Sequence, residues 1–196
     1  MKTGLYFGSF NPIHIGHMAI ANYIYEYSDL DELWFVVSPQ NPLKKKSSLL
    51  ADHHRMRLVE IAIKNDDRFM ASDIESRLPV PSYTIDTLTW LSEKHPSRTF
   101  ELIMGSDNLL TIHKWKNARI LTRSYKIIVY PRDTRKSQPG DSARELITTS
   151  DIEVVDAPKI EISGTFIRQA IAAGKDIRHF LPPGVWKYAR DMHFYE

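Results

Sequence analysis

Gly8-Ser9-Phe10-Asn11-Pro12-Ile13-His14-Ile15-Gly16-His17 is the stretch on whose reading the fold turns. Immediately upstream, Leu5-Tyr6-Phe7 is short, apolar and β-prone, as a buried strand requires. Downstream, an amphipathic pattern runs from Ile15 to about Tyr27. The segment therefore reads as strand, tight Gly/Asn/Pro turn and helix, with two histidines at the helix entrance. In open α/β proteins such a turn, at the carboxyl edge of a parallel sheet, is where ligands bind. Exposed amides at a helix start favour anions, phosphate above all. With the helix begun at His14, a spacing of three puts His14 and His17 on one face. Both imidazoles can then address one phosphate.

Outward from this stretch, strand and helix patterns alternate. Glu32–Ser38 reads as a buried strand closed by Pro39, Asn41 and Pro42, followed by a basic loop, Leu43 to Ser48, with Lys44, Lys45 and Lys46. Asp52 is expected to cap a helix from about His53 to Lys64, with Met56, Val59 and Ile63 on one face. Phe69–Ile74 is a third strand, and Pro79, Pro81 and Ser82 lead into a helix bearing Ile85, Leu88 and Leu91. Thr99–Met104 is strand four, ended by Gly105; short helices at 107–113 and 116–122 precede strand five, Tyr125–Tyr130. Arg132 to Asp141 is polar and rich in turn formers, a loop. Ile152–Val155 is strand six, and Ser163 caps a helix through Ala172 that Gly174 closes. Pro182-Pro183-Gly184 opens a last amphipathic helix carrying Val185, Trp186, Tyr188 and Ala189. This alternation implies right-handed crossovers. The expected fold is one α/β domain over 1–196: a Rossmann-like, mostly parallel sheet flanked by helices, with a small helical C-terminal end.

The bulk numbers exclude several classes. The 196 residues suit one domain, and 42% hydrophobic with 26% charged residues is ordinary for a globular protein. A net charge of +2 is too small to argue for a nucleic-acid or membrane partner, and neither is expected. There is no Cys, so disulfides and thiolate metal sites are excluded. No charged-then-apolar leader and no apolar run of about 20 residues is visible, which makes the cytoplasm the expected compartment. His14 and His17 as Zn²⁺ ligands are disfavoured, because a closed site needs four ligands. Adjacent His53 and His54 diverge around a helix.

A second element, Ile162-Ser163-Gly164-Thr165-Phe166-Ile167-Arg168, again lies at a helix start. By itself it is an N-cap with an arginine on an exposed face. Gly8 to His17 resembles the nucleotidyltransferase signature G-x-F-[DN]-P-x-H-x-G-H, and Ile162 to Arg168 resembles the same family's I-S-x-T-x-I-R element. With Ser82-Tyr83-Thr84 and Gly105 through Trp115, the resemblance to bacterial nicotinate-nucleotide adenylyltransferases covers most of the chain. Two positions depart: Phe7 stands where many members have Gly, and Asn11 where many have Asp. Gly164, too, occupies a slot that is often Ser.

The resemblance implies transfer of the adenylyl group of ATP to nicotinate mononucleotide, with Mg²⁺ carried on the triphosphate rather than in a carboxylate cage. It implies catalytic roles for His14, His17 and Arg168 on the phosphates, Arg being suited to bidentate contact. It places ATP against Gly8, Ser9 and Phe10 (backbone amides and close approach), Gly16, Gly105, Asp107, Arg132, Ile162, Ser163 and Thr165. It places nicotinate mononucleotide against Lys45, Tyr83, Thr84 and a stacking Trp115. Plain alternatives stand beside these: Asp107 as an N-cap, Trp115 as core filler, Ser82-Tyr83-Thr84 as a helix cap, the lysines as a solvated loop. Rival functions are phosphopantetheine adenylyltransferase, another nucleotidyltransferase such as a cytidylyltransferase, and a non-catalytic nucleotide sensor. Oligomeric state has no signal in the sequence.

Overall fold

The computed structural model describes residues 1–39, 49–79, 81–132 and 140–196. Among these residues six strands build one sheet: β1 (Lys2–Gly8), β2 (Glu32–Val37), β3 (Phe69–Ser72), β4 (Thr99–Gly105), β5 (Ile127–Tyr130) and β6 (Ile152–Val154), in the order β3-β2-β1-β4-β5-β6. Every pairing is parallel, with Tyr6 beside Phe35 across β1–β2 and Leu5 beside Leu102 across β1–β4. The sheet is thus wholly parallel rather than mostly so. Its order reverses between β1 and β4, which makes the carboxyl edge there the switch point of a doubly wound fold.

Burial on both faces follows from the strict alternation of the strands. Leu33, Phe35 and Val37 point into one core with Tyr6, Ile103 and Ile128, covered by α1 (Ile15–Tyr27), α2 (Asp52–Ile63), α8 (Gly164–Ala172) and α9 (Pro183–Asp191). Trp34 and Val36 point into the other with Leu5, Leu102 and Val129, covered by α3 (Ile74–Arg77), α4 (Thr84–Lys94) and α6 (Ala118–Ser124). A short helix α5 (Ser106–Leu109) and a 3₁₀ turn (Ile112–Lys114) follow β4, and a second 3₁₀ turn (Arg178–Phe180) precedes α9. No described helix is long and apolar enough to cross a membrane.

The helix starts come out partly as expected. Ser163 caps α8, its hydroxyl accepting the Phe166 amide at 3.2 Å, and Gly174 takes φ +66° just past the helix end. Asp52 is not a cap: Ala51 holds that position, and Asp52 lies in the first turn, where its carboxylate takes Arg55 at 2.5 Å. The third strand stops at Ser72, because Ile74 already begins α3. Helix α7 (Asp141–Thr148) has no counterpart among the elements expected from sequence. It buries only Ala143 and Leu146, a single turn of apolar spacing at the end of a polar stretch.

Candidate functional site

The turn after β1 is held from inside the protein. Arg55, 0% exposed, donates through Nη1 to the carbonyls of Ser9 and Ser38, both at 2.7 Å. Its Nε reaches Leu50 O at 2.9 Å, and Nη2 reaches Pro39 O at 3.1 Å and the Asp52 carboxylate. One guanidinium therefore ties the ends of β1 and β2 to the start of α2. Sequence reasoning missed it, although Arg55, Leu58, Val59 and Ile63 form the buried face of α2 at helical spacing.

Phe10 has φ +42° and is 1% exposed, its ring edge-on to Tyr6 (5.7 Å), Phe35 (5.5 Å) and His17 (5.1 Å). A Cβ on Gly8 would lie 2.8–2.9 Å from that ring. The space that Gly8 leaves open is thus filled by the Phe10 ring. Gly16 behaves similarly, a Cβ there meeting His14 Nδ1 at 3.0 Å and Ile160 Cγ2 at 3.2 Å. The His14 ring lies against this glycine.

His14 and His17 do come together. His14 is the N-cap of α1, and the two rings stack at 3.7 Å with 22° between planes. The His14 amide donates to His17 Nδ1 at 3.3 Å, which makes Nε2 of His17 the protonated nitrogen. His14 is 2% exposed, and its Nδ1 has no hydrogen-bond partner among the described residues. Burial, helped by the nearby Arg132 charge, lowers its pKa to about 4. At neutral pH His14 is an uncharged imidazole able to present one N–H and one lone pair.

Across the switch point, Gly105, Asp107 and Arg132 are also neighbours. Arg132 pairs with Asp107 at 3.5 Å and lies over the Tyr130 ring at 5.6 Å. A Cβ on Gly105 would press on Asp107 Oδ1 and stand 3.0 Å from Arg132 Cδ. Gly105, not Asp107, is the N-cap of α5. Ser106 Oγ accepts the Arg132 amide at 2.8 Å, joining the ends of β4 and β5. Among the described residues no group of three or more His, Cys, Asp or Glu could hold a metal.

The second element packs directly on the first. Arg168 donates through Nη1 to the Asn11 carbonyl at 2.8 Å and through Nη2 to Thr165 Oγ1 at 3.3 Å. A Cβ on Gly164 would sit 3.1 Å from Asn11 O, so the start of α8 abuts the turn. Ile162 packs against the core on the α1 side. Ser163 and Thr165 are therefore engaged in a cap and an arginine contact.

The remaining expected residues are more dispersed. Tyr83 is the N-cap of α4, Thr84 its first residue, and no side chain caps this helix, so the plain cap reading of Ser82-Tyr83-Thr84 fails. Tyr83 carries Lys116 over its ring at 4.7 Å and borders a cleft of about 700 Å³ between α4 and α6. Trp115 is half-buried against the core and borders a different cleft, of about 360 Å³, beside α7. Lys45 lies outside the described residues, as does 133–139 of the expected loop. Glu75 went unremarked in the sequence. It is 3% exposed and accepts Thr87 Oγ1 at 3.2 Å. Burial raises its pKa against the hydroxyls of Ser38, Thr87 and Ser82, so this carboxyl bridges the end of β2 to the start of α4.

Residues 5–170 match the cytidylyltransferase-like family. The probable nicotinate-nucleotide adenylyltransferase of Flavobacterium johnsoniae is 50% identical over 196 residues, covering 100% of both chains. Its namesake from Bacteroides fragilis is 49% identical over 186 residues, 95% of this chain and 90% of that one. Among solved structures, the Plasmodium falciparum nicotinic acid mononucleotide adenylyltransferase complexed with NaAD superposes with a TM-score of 0.81 at 24% identity, covering 99% of this chain and 97% of that chain. That likeness is one of fold.

Proposed function

The chain belongs to the cytidylyltransferase-like family, and from that premise we propose that it is a nicotinate-nucleotide adenylyltransferase, as its full-length relatives are named. It transfers the adenylyl group of ATP to nicotinate mononucleotide, giving nicotinate adenine dinucleotide and pyrophosphate in NAD biosynthesis. Residues 1–196 act as one nucleotidyltransferase domain in the cytoplasm, on small-molecule partners only.

The single observation that best supports the site is the Arg168–Asn11 contact at 2.8 Å. It brings two phosphate-binding helix starts, separated by most of the chain, to one point of the sheet edge. A phosphate oxygen of the mononucleotide attacks the α-phosphorus in line, and the bond to the bridging oxygen of the leaving pyrophosphate breaks. The nucleophile is already anionic, so no general base is required. Alignment and stabilisation of charge carry the catalysis. The neutral His14 and the Nε2–H of His17 supply donors to the phosphates, and Arg168 with the amides of α8 faces the leaving group. Gly8, Ser9, Phe10, Gly16, Gly105, Asp107, Arg132, Ile162, Ser163 and Thr165 frame the ATP side. Lys45, Tyr83, Thr84 and Trp115 serve the mononucleotide. Mg²⁺ bound with the triphosphate would offset its charge, and Asp107 at the switch point is the carboxylate that would face it.

The test is pyrophosphate release from ATP and Mg²⁺ with nicotinate mononucleotide, nicotinamide mononucleotide or phosphopantetheine. Release chiefly with the first is expected; release with none favours a nucleotide sensor. In the same assay His17→Ala lowers turnover at least about a hundredfold, the scale of one lost transition-state donor, while its circular dichroism stays that of the wild type.

A further inference from the structure

The residues that follow α9 turn back beneath the first motif. Phe194 is 8% exposed, wedged beside His54 and Tyr188 with ring centroids 4.8 and 5.6 Å away. On either side of it His193 and Tyr195 have φ of +53° and +69°. Non-glycine residues adopt this left-handed backbone at a cost, and it persists where surrounding contacts fix it.

At Tyr195 the fixing contact is a hydrogen bond to the motif itself. Tyr195 donates its hydroxyl to Asn11 Oδ1 at 2.8 Å, and the same oxygen accepts the Leu50 amide at 3.2 Å. Asn11 is 5% exposed, and its main-chain carbonyl is the atom that receives Arg168. One asparagine thus joins three distant parts of the chain: its side chain is held by Tyr195 and by the approach to α2, its backbone by α8. Burial pushes the Tyr195 phenol pKa up, against the opposing charges of Arg168 and Arg55, so the hydroxyl remains a donor at working pH. The two arginines that flank the phenol are the two that hold the motif's carbonyls.

We propose that Tyr195 is a positioning residue for the triphosphate: its hydroxyl fixes Asn11, and through Asn11 the spacing between the His14–His17 pair and Arg168. The inference rests on reading the two helix starts as the ATP clamp. It adds to that clamp a residue from the opposite end of the sequence, one that itself touches no substrate.

The test uses the full chain, Mg²⁺ and an ATP analogue whose α–β bridge is a methylene, with affinity measured by calorimetry. Tyr195→Phe keeps the ring and removes only the donor. It is expected to weaken the analogue about fivefold, the loss of one neutral hydrogen bond, and to raise the KM for ATP by the same factor without raising that for nicotinate mononucleotide. Tyr188→Phe is the control, since it removes a hydroxyl bonded to His54 at 3.2 Å in the same region; analogue affinity there stays within about twofold. In an Asn11→Ala background Tyr195→Phe should add nothing. An unchanged affinity in Tyr195→Phe overturns the proposal, as does an equal loss in Tyr188→Phe or a full additional loss in the Asn11→Ala background. Because binding is read with the analogue alone, a wild type that binds it but releases no pyrophosphate with nicotinate mononucleotide refutes the assigned substrate and leaves the role of Tyr195 decided by the affinities.

Discussion

His14 should make the protein acid-sensitive by an amount that can be worked out. The imidazole is 2% exposed, and its pKa is lowered to about 4 from an ordinary value of 6.5, by burial first and by Arg132 second. In the unfolded chain the ring recovers the ordinary value. Between these two values the unfolded state binds more protons than the folded one, so stability falls as pH falls. The loss begins near pH 6.5 and is complete below about 4. The full difference, 6.5 − 4 or about 2.5 units at 1.36 kcal/mol each, is about 3 kcal/mol; roughly 2 kcal/mol of it is realised by pH 5.0. Urea unfolding of the wild type and of His14→Gln, followed by tryptophan fluorescence at pH 7.5 and 5.0, isolates this contribution. The wild type should lose about 2 kcal/mol more than the variant over that interval. A difference between the two proteins that is constant within about 0.5 kcal/mol would refute a desolvated, neutral His14 and, with it, the idea that this residue offers the phosphate an N–H rather than a charge.

Arg55→Ala should destabilise the protein by about 3–5 kcal/mol in the same unfolding assay, because it leaves the carbonyls of Ser9, Ser38, Pro39 and Leu50 without their buried donor. Arg55→Lys should recover less than half of that, since an ammonium cannot reproduce the planar fork. Gly8→Ala should cost about 1–3 kcal/mol by calorimetric melting, as the new methyl meets the buried Phe10 ring at 2.8–2.9 Å. Glu75 has a carboxyl pKa raised by burial, so its contribution is greatest below the ordinary carboxylate range and declines as pH rises toward neutrality. Glu75→Gln should flatten that part of the stability–pH curve.

What the sequence made legible were features with a local signal. The strand–turn–helix at Gly8–His17, the Ser163 cap, Gly174 past the end of α8 and the Pro182-Pro183 start of α9 each depend on neighbours a few residues away, and each stands where expected. Arg55, Glu75 and Tyr195 escaped because their roles depend on partners far along the chain: Arg55 to Ser9, Tyr195 to Asn11. A charged residue at a buried helical position is visible in sequence only when the apolar face is drawn correctly. Placing Met56 rather than Leu58 on that face hid Arg55. The glycines show a subtler limit. That the backbone at Gly8 is closely approached was legible, but what approaches it was not. There it is the Phe10 ring, and at Gly16 the His14 ring.

The held carbonyls also explain how the turn can face an anion. In a trans peptide the N–H points away from the C=O of the same unit. Gly8 O accepts the Ser38 amide at 2.9 Å, on the β2 side of β1, so the N–H of Ser9 must point toward β4. Ser9 O is held by Arg55, which also holds Ser38 and Pro39 and therefore lies on that same β2 side. The N–H of Phe10 is turned the same way. Two consecutive amides facing one direction cannot occur in a regular strand, where successive peptides alternate. The φ of +42° at Phe10 belongs to the left-handed backbone from which anion-binding nests of N–H groups are made. Both amides are thereby directed into the crevice between β1 and β4, the side on which Asp107 and Arg132 stand. Arg55 and the β2 edge hold the carbonyls back, and the donors left facing the switch point are those a phosphate would need.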